Sequence, residues 1–110
     1  MVKPWRLTSL AETSLREIAT WTIDSFGPQQ AKAYEDALVE QCEAIASGTA
    51  HARSCRDVID AGLPGELLFT RSGMHLVVFV DLGAQVVIVD FLHVQRDLPR
   101  WLAEIALRRR

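Results

Sequence analysis

The segment FLHVQRDLPRWL, residues 91–102, places His93, Arg96, Asp97, Arg100 and Trp101 at the end of an apolar run. Earlier in the chain, Arg71 and His75 bracket a short turn-like stretch, RSGMH. Histidines and arginines in this number suit metal-free cleavage of RNA. That chemistry needs a base to take the 2′-hydroxyl proton, an acid to protonate the leaving oxygen, and cations to hold the phosphate. Arg71, His75, His93 and Arg96 are the candidates. Such an enzyme also needs a basic surface that holds RNA. The chain has two lysines, Lys3 and Lys32, neither near the predicted sheet, and its single tyrosine, Tyr34, falls on the apolar stripe of a predicted helix. The electrostatics argue against a nuclease. Each residue also has a plain structural role open to it: His93 as a hydrogen-bonded histidine at a strand end, Asp97 as a helix cap, Arg96 and Arg100 as a solvated face.

Other chemistries find less support. There is no phosphate loop, no GxGxxG and no HExxH. His51, His75 and His93 are spread out, and no cysteine or acid pattern completes a metal site, so neither metal nor other cofactor is expected. Ser54 and Ser72 lack a nucleophile context. Cys42 and Cys55 make no disulfide framework, and Cys42 sits on an apolar helix stripe as a small core residue.

These residues must be positioned by a small fold. The chain's 110 residues, 49% hydrophobic and 24% charged, suit one globular domain, taken as 1–110. No secretory pattern or membrane span is evident, which fits a reducing cytoplasm. A net charge of −2 hides an asymmetry: from Arg96 onward five arginines face two acids, net +3, while the preceding residues hold seven bases and twelve acids, net −5. An acidic body with a basic tail is a poor general nucleic-acid binder.

The spacing predicts a strand over 4–8, then a helix opened by a capping box of Ser9 and Glu12. That helix has apolar or small residues at 15, 18, 19, 22 and 26. Gly27 and Pro28 lead directly into a second helix, 28–47, striped by Ala31, Tyr34, Leu38, Cys42 and Ile45 and ended by Gly48. Two helices so closely linked form an antiparallel hairpin. Residues 49–65 read as irregular. ELLFT (66–70), HLVVFV (75–80) and QVVIVDFL (85–92) read as an antiparallel meander. A last helix starts at Asp97 and presents Leu98, Trp101, Leu102 and Ile105. The order is β-αα-βββ-α, an α+β domain with the hairpin packed on a small antiparallel sheet.

With the elements in place, the chain resembles the ParE-family toxins of bacterial type II toxin–antitoxin modules, within the RelE/ParE superfamily. The family's T-x-x-A-x-x-D-L-x-x-I helix is matched by Thr8, Ala11, Leu15 and Ile18, followed by Gly27, Ala31 and Tyr34; its aspartate is Ser14 here. The family's GLR-x-x-x-x-G-x-H-x-x-x-F segment is matched by Gly62, Leu63, Gly73, His75 and Phe79, with Pro64 in place of the arginine. Its LH-x-x-x-D ending is matched by Leu92, His93 and Asp97, with Arg96 in the common basic position. The resemblance implies a toxin that traps DNA gyrase by binding, without catalytic residues, and that is neutralised by a ParD-like antitoxin. The alternative is a RelE-like, ribosome-dependent mRNA endoribonuclease using Arg71, His75, His93 and Arg96. For an inhibitor, the isolated positive charge and large aromatic of Arg96, Arg100, Trp101, Arg108, Arg109 and Arg110 nominate a target contact. Trp21 and Ile23, off the main stripe of the first helix, nominate an antitoxin contact.

Overall fold

The computed structural model describes residues 2–55, 67–95 and 100. Strand β1 (Trp5–Leu7) leads through Thr8 into helix α1 (Ser9–Phe26). Thr8 is the helix cap. Its backbone is extended (φ −71°, ψ 165°), and its hydroxyl accepts from the Ala11 N–H at 3.0 Å. The expected cap, Ser9, is instead the first helical residue. The reason is that Thr8 is still tied to the sheet, with its N–H on the Ile88 carbonyl at 3.0 Å. A cap must be non-helical, and the last sheet-bonded residue already is.

Helix α2 (Pro28–Ser47) follows after one residue. The Gly27 N–H closes α1 on the Ile23 carbonyl at 2.8 Å, and its own carbonyl accepts from Ala31 at 3.1 Å. Ending one helix and starting the next within one residue requires φ +92°, which favours glycine. α2 buries Ala31, Leu38, Cys42, Ile45 and Ala46, and α1 packs Leu15 and Ile18 against the same core. Phe26, placed by spacing on the buried stripe, is 64% exposed. It is the last residue of α1, at the hairpin corner, and its ring meets Trp21 edge-to-face at 5.7 Å instead of entering the core.

The described sheet has five strands in the order β1-β5-β4-β3-β2. These are β2 (Arg53–Ser54), β3 (Leu68–Ser72), β4 (His75–Asp81) and β5 (Val86–His93), with β1. The predicted meander is present as antiparallel β3-β4-β5. The sheet is mixed, however, because β1 runs parallel to β5. The expectation of irregular chain over 49–65 fails at Arg53–Ser54, which pair antiparallel with Leu68–Phe69. Two residues without β-branching give no strand signal; tertiary pairing alone makes them one. Apart from Arg100, the predicted helix after Asp97 lies outside the described residues.

Strand β4 is buried at every position from His75 to Val80. Val77 and Phe79 join the cluster with Leu38, Cys42, Ile88 and Phe91, and Val78 and Val80 join Cys55, Leu67 and Leu92. Alternation sends the two sets to opposite faces, so both faces are covered. That is why HLVVFV is continuously apolar rather than alternating. A fully buried Leu38 or Ile88 contributes about 2 kcal/mol. Val78 pairs with Asp90 but Phe79 with Ile88, leaving Val89 as an extra residue in β5. The carbonyl of this bulge accepts the Thr8 hydroxyl at 2.7 Å, so one side chain joins the sheet to the start of α1.

Lys3 was expected away from the sheet. Its ammonium instead bonds Asp81 at the end of β4, at 2.9 Å, because Pro4 runs beside β5 and accepts from the Val86 N–H. The hydrogen bond from Lys3, and then that from the Gly83 N–H, hold the Asp81 carboxyl below the usual range. Both partners are substantially exposed, so the pair stabilises little.

Candidate functional site

His75 opens β4 and His93 closes β5, and the register sets them directly opposite one another. Their rings meet edge-to-face at 5.4 Å and 86°. Tyr34, about two turns into α2, reaches the same point. Its hydroxyl lies 2.6 Å from His75 Nδ1 and accepts from the Met74 N–H at 3.0 Å. Donation by the phenol to Nδ1 uses its remaining hydrogen and leaves the ring proton of a neutral His75 on Nε2. His75 is 9% exposed, and its pKa is lowered, first by burial and then by His93. His93 is exposed, with Nδ1 accepting from the Gln95 N–H at 3.1 Å.

The turn between β3 and β4 is shaped by this contact. Gly73 has φ +60°, and a Cβ there would stand 2.9 Å from both Cε1 and the hydroxyl of Tyr34. Arg71 is exposed and donates through Nε to the Gly73 carbonyl at 2.9 Å. Arg71, His75 and His93, three of the four residues nominated together for RNA cleavage, therefore share one end of the sheet. Tyr34, set aside as a core residue, is the member that joins them. The apolar stripe showed that it points inward; only the fold shows that its partner is a residue 41 positions away. A buried neutral imidazole held between a phenol and a second imidazole is suited to fixing the strand ends rather than to gripping phosphate.

A second surface lies on α1. Trp21 is 61% exposed and Ile23 46% exposed, as their position off the stripe predicted, and Phe26 joins them. Beside Trp21 runs an open groove of about 450 Å³ lined by Thr13, Arg16, Glu17, Thr20 and Asp24. On the inner side of α1, Ser14 occupies the place of the aspartate in the helix motif. Its hydroxyl donates to Oδ1 of Asp90, a carboxylate 1% exposed that also accepts from the Phe91 N–H at 2.8 Å. The carboxylate at this point comes from the strand and not from the helix, and the sequence pattern gave no sign of the pair.

Of the remaining nominated residues, Arg100 is exposed. Leu63, Arg96, Asp97, Trp101, Arg108, Arg109 and Arg110 lie outside the described residues, as do Gly62 and Pro64. Among the described residues no three histidines, cysteines or acids are grouped to hold a metal, and no helix is long and apolar enough to cross a membrane.

Fold and surfaces together define a small α+β protein in which a helical hairpin and an antiparallel meander share one core, with an aromatic patch left open on the hairpin. The family model described as "ParE toxin of type II toxin-antitoxin system, parDE" matches residues 5–98, and the chain belongs to this family of toxins. A solved structure described as "Chromosomal ParDE TA system from P. aeruginosa" superposes with a TM-score of 0.65 at 17% sequence identity. The match covers 86% of this chain and 98% of that one, and it shows a shared fold. Comparison with curated proteins gave no significant match.

Proposed function

We propose that this ParE-family chain arrests growth by binding DNA gyrase without catalysis, and that a ParD-like antitoxin neutralises it. The family match over residues 5–98 carries the reading. The antitoxin is supported by the similar structure, which is described as a ParDE system. Trp21, Ile23 and Phe26 supply the exposed apolar surface an antitoxin would cover. The target contact is assigned to Arg96, Arg100, Trp101 and Arg108 to Arg110, whose charge is opposite to that of the body. Inhibition requires only that this surface stabilise one state of the target. The cytoplasm, where gyrase works, is the place of action.

Purified toxin added to gyrase is expected to reduce supercoiling and accumulate cleaved DNA. Supercoiling unaffected by a toxin that still arrests growth would sink the gyrase reading. Deleting residues 103–110 should abolish arrest while the truncated chain still folds. The row of Tyr34, His75 and His93 is the observation that keeps the endoribonuclease alternative under test. Primer extension on ribosome-bound mRNA decides it: cleavage lost with His93→Ala would replace gyrase with the ribosome.

A further inference from the structure

We infer that the open face of α1 is built to take a positively charged amphipathic segment of a partner protein. This segment seats apolar side chains on Trp21 and Phe26 and sets lysine or arginine against Glu17 and Asp24. The inference rests on the reading that this face meets the antitoxin, and it adds the chemistry the antitoxin must present there.

The face is continuous. Glu17 is four residues from Thr13, three from Thr20 and four from Trp21, and Asp24 is four from Thr20 and three from Trp21, which places the five on one side of the helix, and all five are exposed. Trp21 and Phe26 brace one another edge-to-face, which holds two large rings in place before any partner arrives. Ile23 stands one turn from Phe26 and widens the patch. Two exposed rings in mutual contact, with an exposed Ile23 one turn from Phe26, are more than scattered surface hydrophobes.

The surrounding charge selects the occupant. Helices α1 and α2 together carry seven acids against Arg16 and Lys32, net −5, while the whole chain carries −2. All seven acids are exposed. Lys32 is already turned to Asp36, at 3.6 Å. A field of this sign attracts cationic segments and repels acidic ones. It also disfavours a second copy of the chain, since two copies meeting through this face would set Glu17 and Asp24 against their own counterparts.

The test selects a displayed library of random peptides against the folded full-length chain. Enriched peptides are expected to combine aromatic or aliphatic residues with lysine or arginine. Their binding should weaken about tenfold or more with Glu17→Lys/Asp24→Lys, and likewise with Trp21→Ser/Phe26→Ser. Binding should also weaken between about 50 and 300 mM salt. The neutral pair Glu17→Gln/Asp24→Asn serves if charge reversal disturbs the far-ultraviolet dichroism. Enrichment of acidic peptides, no enrichment, or binding indifferent to both double variants overturns the inference. So does a dimer in equilibrium sedimentation that Trp21→Ser/Phe26→Ser dissolves, since the occupant would then be a second copy. A parallel titration uses the ParD-like antitoxin that the proposed function calls for. If it binds with full affinity to the charge-reversed variant, the antitoxin reading stands and the charge inference falls. If it fails to bind while the cationic peptides bind as expected, the surface chemistry stands and the antitoxin reading falls.

Discussion

Replacing Tyr34 with phenylalanine removes one oxygen and leaves the ring where it is. Two hydrogen bonds go with that oxygen. The one to Met74 N–H lies at an exposed residue, where water can substitute, so its loss costs about 0.5 kcal/mol. The one to His75 Nδ1 lies in a buried site, where a polar atom left without its partner costs about 1–3 kcal/mol. The combined effect is a loss of about 2 kcal/mol. With an unfolding entropy of about 2.1 cal/mol/K per residue, a chain of 110 residues should lose roughly 9 °C in Tm. Calorimetry and urea unfolding of the two proteins measure this directly. If the phenol only fixes the strand ends, growth arrest by Tyr34→Phe should persist at a temperature where the variant is folded. A variant as stable as the wild type to within about 0.5 kcal/mol would refute the energetic reasoning. A stable variant that has lost its toxicity would point to a direct part in the chemistry.

Three further outcomes follow from the buried groups. Burial and His93 lower the pKa of His75, so the folded chain holds this ring neutral at pH values where the unfolded chain protonates it. Stability should be insensitive to this group above about pH 6.5 and should fall as the pH drops below it, a slope that urea midpoints would record and His75→Gln would reduce. Burial pushes the thiol of Cys42 up to about 12 and that of Cys55 up to about 11, so neither should react with a thiol reagent at pH 8 until denaturant opens the core; rapid labelling of the native protein would contradict this. Ser14→Ala should cost about 1–3 kcal/mol by removing a donor from buried Asp90. Ser14→Asp should cost more, because it sets a second carboxylate against the first, and equal urea midpoints for the two variants would count against that ordering.

Where local signals decide a conformation, the sequence is legible. Gly27 with Pro28 announces the hairpin, and the helical stripe of Ala31, Leu38, Cys42 and Ile45 is the stripe the core receives. The three apolar runs at 66–70, 75–80 and 85–92 give the three central strands. What the sequence leaves open depends on distant partners. Thr8 and Ser9 are adjacent hydroxyl residues, and a bond to Ile88 chooses between them. Lys3 finds Asp81 across 78 positions, and Arg53–Ser54 become a strand only because Leu68–Phe69 is beside them. Phe26 has the right spacing for burial but stands where the hairpin turns, beyond the covered face. The candidate site divides the same way. His75, His93 and Arg71 stood out by type, and Trp21 and Ile23 by being apolar off the stripe. The bond that makes Tyr34 one of the group is a tertiary fact.

The parallel pairing of β1 with β5 has a consequence for how the protein is made. β5 lies between β1 and β4, yet it is the last strand of the described sheet to leave the ribosome. Until residue 93 has emerged, β1 has no neighbour, the Thr8 hydroxyl lacks the Val89 carbonyl, and His75 lacks His93. The helical hairpin, built from local contacts, is ready long before the strand that anchors it, because contacts distant in sequence form last. The nascent chain is therefore a hairpin with its apolar stripe uncovered from the end of α2 at Ser47 until β5 is complete at His93. Any partner that recognises the corner at Trp21 and Phe26 would find that surface formed before the sheet is closed.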